Sequence, residues 1–423
     1  MPPNQPTSSR TALAKLISAT GLSNVADGIA LVVWAWLASL LTRDPILVAI
    51  LPVALRIPWL LLSIPAGLIV DRTDRRRLIL AMDALRTVGF GLAAVSVWMA
   101  QPFQPPTNSG TSEPTLFAIL VACAVPIGAA EVFRDTATQS ILPAIVPEAD
   151  LERANARLYS AELVGNAMLG PAVGAFLIAW IVWVPFAANA LLVLAALGVL
   201  HTLKGQFTPA QRAERNWKEE LGEGFDVLRQ SHFLRVLAWA TAVWNFFHQM
   251  VIIALILHVQ ENLGLDARFY GLVLAAGAGA GVAAGFIAER VIRNLGPGRT
   301  AQWSSLASAI AFAGICFAPD GLTLAFVLMF FEFSSVFWNV VSISYKQRTI
   351  PDHLLGRVNG IYRLLSWGMM SLGLLGSGLL VRMVEGFAAR ETALLAPFLA
   401  GGVAVLVLTA VIWKDLRKGF GDG

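Results

Sequence analysis

"GLIVDRTDRRR", residues 67–77, packs two acids and four arginines directly behind an apolar run that starts near Ile46. A thinner copy, "GFIAERVIRN", stands at 285–294. The chain around them is 57% hydrophobic and 14% charged over 423 residues, with a mean hydropathy of +0.67. Soluble domains carry about a quarter charged residues. A helix needs about 20 apolar residues to cross the hydrocarbon. Twelve such runs can be marked out, near 17–41, 46–70, 78–100, 115–139, 158–180, 183–203, 234–257, 268–289, 300–318, 321–344, 357–381 and 392–413. Most show no strict alternation, which excludes a barrel of half-apolar strands. The N-terminal "MPPNQPTSSRTALAK" is polar and precedes a span too long for a signal core, so no cleavable leader is expected. Cys123 and Cys316 fall inside spans and read as small apolar fillers.

Lysine and arginine set the orientation. With the N-terminus cytoplasmic, the inner segments hold 24 of the 31 basic residues, and only Arg43, Arg268, Arg382 and Arg390 lie outside. This positive-inside bias predicts a multi-pass cell-membrane protein with both termini in the cytoplasm. Arg72, Arg75, Arg76 and Arg77 then hold the turn between spans 2 and 3 on the inner side. The net charge of +4 follows from topology, and nucleic acid is not an expected partner.

The chain also repeats itself. "GLIVDR" (67–72) matches "GFIAER" (285–290), and "PEADLERANA" (147–156) matches "PDHLLGRVNG" (351–360) in Pro, Leu, Arg and Asn. The offset drops from 218 to 204 between the two matches, and the 14-residue outer loop 101–114 largely accounts for the change. Both matches fall in successive inner loops with the same orientation. The fold class is therefore all-α integral membrane: twelve transmembrane helices in two parallel six-helix repeats. The halves are 1–203 and 234–423. Between them, 204–233 is a linker in which Trp217, Leu221, Phe225 and Leu228 predict an amphipathic helix on the inner face.

With Gly67, Asp71, Arg72, Arg75 and Arg76 in the loop after span 2, the chain resembles the major facilitator superfamily, specifically its drug-efflux and enterobactin-exporter-like branch. The span 5 pattern "GNAMLGPAVG", with Gly165, Gly170, Pro171 and Gly174, is similar to that of the superfamily's exporters. "SNVADGIALVV" (23–33) and "FRDTATQSILPAIVPEADLERANA" (133–156) support the branch. Asp74 departs from the usual glycine, which predicts a stiffer turn. The resemblance implies that spans 1, 4, 7 and 10 line a central cavity. It also implies that the 67–77 loop latches one state of an alternating-access cycle. Asp71 would pair there with an arginine, Arg134 being one candidate, and otherwise the loop is a topology signal. The span 5 glycines read either as a sliding surface or as plain helix packing.

Intramembrane charges cost about 2.5–3.5 kcal/mol each at mid-bilayer, so they are expected to be paired or to face water. Asp27, Glu131, His248 and Glu332 fall on spans 1, 4, 7 and 10 and are the proton-coupling candidates, Asp27 first and Glu131 second. Arg56, Arg134 and Asp135 are their charge partners. A fixed ion pair, for example Asp27 with Arg56, is the alternative use of these acids. Asn245, Gln249, Trp244 and Trp338 are candidates for the substrate cavity, against simple packing for the aromatics. No phosphate-binding loop, metal-ligand spacing or Ser-His-Asp arrangement appears, so neither a cofactor nor a metal is expected and the chain is not expected to be an enzyme.

The expected activity is proton-coupled efflux of amphipathic, drug- or siderophore-like small molecules by a monomer in the bilayer. An importer or a lysophospholipid flippase of the same fold is the nearest alternative. A non-transporting sensor or scaffold is the distant one, and it has no use for costly mid-membrane acids.

Overall fold

The computed structural model describes residues 9–147, 150–205, 207 and 217–421. They are almost wholly helical, and they separate into two compact units, Met1–Arg43 with Ile50–Glu214, and Asp44–Ala49 with Arg215–Gly423. The division falls inside the expected linker.

The first unit holds α1 (Ser9–Leu41), most of α2 (Pro45–Val70), α3 (Arg75–Met99) and α4 (Pro114–Ile141). Its fifth span is composite. α5 (Leu151–Glu162) passes through a π-helical stretch, Leu163–Leu169, into α6 (Gly170–Trp180). α7 (Val184–His201) closes the unit. α1 is its axis and packs on α5, the π stretch, α6 and α7, while α3 packs on α4 and α7. In the second unit, the linker helix α8 (Trp217–Gln230) precedes α9 (His232–Leu257), α10 (Ala267–Leu295), α11 (Pro297–Ile315), α12 (Gly321–Thr349) and α13 (Asp352–Glu385). The short α14 (Arg390–Ala393) and α15 (Ala396–Gly419) end it. α9 packs on α13 and α15, α12 packs on α10 and α11, and α11 packs on α15.

Eleven of the helices among the described residues are long and apolar enough to cross a bilayer. The ninth expected span, α11, falls short for a physical reason. Thr300, Gln302, Ser304, Ser305 and Ser308 are all buried along it. They are satisfied inside the unit: Ser304 Oγ donates to Ser334 O at 2.6 Å and Gln302 Nε2 to Trp413 O at 2.7 Å. Burial against neighbouring helices, rather than lipid contact, lets this span be polar.

The end of the first unit that carries residues 71–77 is knitted to the exit of α7. Arg76 Nη2 donates to His201 O at 2.6 Å, and Lys15 Nζ to Thr202 O at 3.0 Å. Both cations therefore cap carbonyls that the last turn of a helix leaves open. Asp74 is the N-cap of α3: one carboxylate oxygen accepts from Arg77 N at 2.8 Å, and the other accepts from Phe207 N at 3.2 Å. The residue that breaks the glycine pattern thus stiffens the turn and ties it to the start of the linker. At the far end, the 101–114 loop folds back on α1, with Arg43 N bonded to Thr107 O and Ser112 N to Leu41 O, both at 2.8 Å.

In α8, Leu228 is buried in the second unit while Phe225 is exposed. Trp217 and Leu221, expected on the same face, have side chains outside the described residues. So do Arg357 and Asn359 of the second repeat match.

Candidate functional site

Span 5 brings its glycines onto the helix that carries Asp27. A Cβ on Gly170 would stand 2.5 Å from Gly28 Cα and 2.7 Å from Val25 O. A Cβ on Gly165 would meet Val25 N at 2.9 Å, and one on Gly174 would meet Ile29 Cα at 3.1 Å. Gly28 itself sits under the carbonyls of Gly165 and Asn166. Gly165, Gly170 and Gly174 therefore form a contact surface of span 5 on α1, with Pro171 buried beside them, and the π-helical stretch overlaps its first part. π-bulges are rare and recur at functional sites. Gly170→Ala has no room without moving α1. It is expected to lose about 1–3 kcal/mol by overpacking, read as an earlier thermal transition of the purified protein; an unchanged transition would show that the two helices yield easily.

Beside this contact lies a buried charge network drawn from three helices. Arg86 of α3 donates through Nη2 to Asp27 Oδ1 and through Nη1 to Ser23 Oγ at 2.7 Å, both on α1. It also lies 3.7 Å from Asp83, one turn back on its own helix. Arg134 of α4 donates through Nε to the same Asp83 oxygen at 3.0 Å, through Nη1 to Asp135 at 3.2 Å and through Nη2 to Ala19 O at 3.3 Å. Arg86 and Asp83 are 0% exposed and Arg134 1%. Glu131, one turn before Asp135 on α4, is half-buried and within electrostatic reach of Asp27, Arg56, Asp135 and Arg86.

Asp27 takes Arg86, where Arg56 was the example given for a fixed ion pair. Arg134 is bonded deep inside the unit and is no partner for Asp71, which is exposed. Asp135 does pair with Arg134. The residues that sequence reasoning missed are Asp83 and Arg86. Their signal was present in "DALR": an acid and a base at i, i+3 inside an apolar span, a spacing that shares one helix face.

In the second unit His248 stacks on Trp244, with centroids 4.8 Å apart, and on Phe331 at 5.5 Å. Asn245 bonds back to Thr241 O at 2.9 Å on its own helix, and Gln249 is buried. Trp244 and Trp338 line a small cavity with Ser305, Ser308 and Ser335. Glu332 turns toward α10, where a Cβ on Gly277 would lie 3.1 Å from its Cγ. The mid-span acids therefore differ: Asp27, Asp83 and Asp135 are bonded to arginines, whereas Glu332 is set against a glycine. No group of three or more metal-ligating side chains occurs among the described residues.

Apolar helices in two bundles, with ionisable side chains buried inside them, define a polytopic membrane transporter. The chain belongs to the major facilitator superfamily, whose sequence model matches residues 16–374. It is a transporter and not an enzyme. It is 25% identical to the multidrug efflux pump Tap of Mycobacterium tuberculosis and to that of Mycobacterium bovis, over 95% of this chain and 94% of the relative. Its fold is similar to that of the nucleoside transporter NupG, with a TM-score of 0.71 at 13% identity over 96% of this chain and 99% of that one. A bacterial homologue of the lysosomal transporter Spinster, solved inward-facing, gives 0.70 at 14% identity over 97% of each chain. These likenesses to solved structures establish the fold.

Proposed function

We propose that the chain is a proton-coupled exporter of amphipathic small molecules, with the charge network of the first unit as its proton-handling site. One observation carries the reading. The bonded groups are three carboxylates, Asp27, Asp83 and Asp135, against two guanidinium groups, Arg86 and Arg134, with the carboxyl of Glu131 beside them on α4. Fully ionised, the bonded set is one negative charge in excess, and an ionised Glu131 adds to it. Isolated charge is costly inside a bilayer, so a protonated Glu131 suits an occluded state and an ionised one suits a hydrated state.

Asp27 and Asp83 are each held by an arginine, and Asp135 by Arg134. Glu131 forms no hydrogen bond or ion pair among the described residues. We assign the exchangeable proton to Glu131, with Asp27 as the neighbour whose charge it senses. Export rather than import draws on the Tap relative, as does a drug-like substrate. The basic end of the first unit faces the cytoplasm in this reading, in line with the arginine bias.

The test uses the whole chain. A growth-inhibition panel with deletion and overproducing strains selects a solute, and purified protein in inside-out proteoliposomes is given a pH step. Solute uptake that follows the pH step and collapses with a protonophore is expected. Uptake indifferent to any imposed pH difference would leave a transporter without proton coupling.

A further inference from the structure

The repeat extends from the inner loops into the helices, residue by residue. The match of 147–156 with 351–360, offset by 204, sets Glu131 and Arg134 of α4 over Ser335 and Trp338 of α12. α3 starts from the N-cap Asp74 and α11 from the N-cap Gly296; Asp83 and Arg86 stand nine and twelve residues past the first, and Ser305 and Ser308 nine and twelve past the second. The backbone of Phe246 lies against Gly373 of α13 as that of Gly28 lies against Gly170, which sets Asn245 over Asp27. Asp27, Asp83, Arg86, Glu131 and Arg134 therefore all have uncharged counterparts in the second unit.

Those counterparts border a hollow. Trp244, Ser305, Ser308, Ser335 and Trp338 line one small, partly open cavity between α9, α11, α12 and α15, and Ala240 and Leu408 complete its wall. Serine is shorter than the Asp, Arg and Glu it replaces, and the two half-buried indoles refill only part of the space. What remains has room for about one small group, on the scale of a single water molecule.

The three serines do not make this a polar site. Ser308 Oγ donates to Ser304 O at 3.1 Å and Ser335 Oγ to Glu332 O at 3.0 Å, each on its own helix. Thr409 Oγ1 donates to Val405 O at 2.7 Å, so the 2.5 Å bond between Ser305 and Thr409 uses the serine's hydrogen. All three hydroxyl hydrogens are committed, and the open lining is mostly carbon. Apolar cavities stay dry and take apolar guests. Beside it, Trp244 lies nearly parallel to His248 and to Phe331, with centroids 4.8 and 5.9 Å away, in a wall of flat rings.

We propose that this cavity is a substrate subsite, which takes one methyl group or halogen atom carried on a flat aromatic ring, the ring itself resting on Trp244 and Trp338. Aromatic faces recognise other flat rings by offset stacking. The place that holds charge in the first unit thus reads shape in the second. The subsite rests on the chain being a transporter; it does not depend on proton coupling.

Two measurements on the full chain test this. Crystals pressurised with xenon, an apolar atom little larger than a methyl group, are expected to show an anomalous peak between Trp244 and Trp338. A hydrogen-bonded water in that position, or a cavity that stays empty under xenon, would overturn the apolar subsite. In proteoliposomes at equal pH on both sides, counterflow of the solute chosen by the growth-inhibition panel is then inhibited with quinoline and with 6-chloroquinoline. The chloro compound is expected to inhibit at about tenfold lower concentration, the scale of one added group in an apolar pocket. Ser308→Leu, which fills the cavity, is expected to remove most of that advantage, and Ser308→Ala to keep it. An advantage equal in the wild type and in Ser308→Leu would trace it to lipid partition and refute the subsite, as would a failure of both compounds to inhibit. Ala240→Val fills the cavity from another wall and replaces Ser308→Leu if that variant does not fold. Counterflow at equal pH draws on no proton gradient, so the two readings fail separately: a chain that ignores a pH step but keeps the Leu-sensitive advantage has the subsite without proton coupling.

Discussion

Replacing Arg86 with methionine is expected to destabilise the first unit by about 3–5 kcal/mol, the usual consequence of removing one partner from a buried ion pair. In thermal unfolding this is a fall of about 6–20 °C for a unit of this size. The reason is charge, not volume. Methionine fills much of the space of the arginine stem, but Asp27 loses its guanidinium and Asp83 keeps only Arg134. The network moves from one excess negative charge to two. Adding Asp27→Asn to the same variant returns the balance to one. The double variant is therefore expected to be more stable than Arg86→Met alone, although it lacks one more native group. A double variant as unstable as the single, or an Arg86→Met protein that melts like the wild type, would show that the network is not electrostatically coupled in the folded chain.

Glu131→Gln is expected to have the largest effect on transport. It removes the carboxyl beside the network that no arginine holds among the described residues, so the proton assigned to it has nowhere to bind. Transport driven by a pH step is expected to fall about 10²-fold, in the range that a positioned proton-transfer group contributes, and counterflow is expected to persist. Stability should change little, because Glu131 makes no bond among the described residues that the amide would lose. Asp27→Asn differs in both respects: it strips Arg86 of a buried partner, so it loses stability together with drive. If Glu131→Gln kept its response to pH and Asp27→Asn alone lost it, the exchangeable proton would belong to Asp27.

The number of spans, the two-fold repeat and the likeness to the major facilitator superfamily were all legible in the residues. They depend on properties that act locally: apolar length, arginine placement and short polar matches in the loops. The ninth span was legible too, although its serines and threonine make it the least apolar of the set. The polar face could be seen, but not that Ser334 and Trp413 would receive it. The candidate site was legible as a list of costly residues. Asp27, Glu131, Arg134 and Asp135 were found because acids and bases in apolar runs stand out.

Partnership was a different matter. Which arginine faces Asp27 is fixed by how α1, α3 and α4 are rotated about their own axes. That rotation follows from contacts such as Gly28 on Gly170, where the absence of a side chain lets two backbones meet. Arg56 and Arg86 are equally basic and both lie deep in spans, and nothing local separates them. The same holds for residues 71–77. The basic run could be read as a topology signal, but its work in capping α7 through Arg76, and in tying Phe207 to Asp74, needed the folded chain. By itself the sequence determined which segments enter the bilayer and how they repeat, because transfer from water to hydrocarbon is a sum over each segment's own residues. Only the tertiary structure decided which buried charges meet and which polar atoms are left unpartnered, because pairing in a low-dielectric interior turns on distances of a few ångströms between helices far apart in the chain.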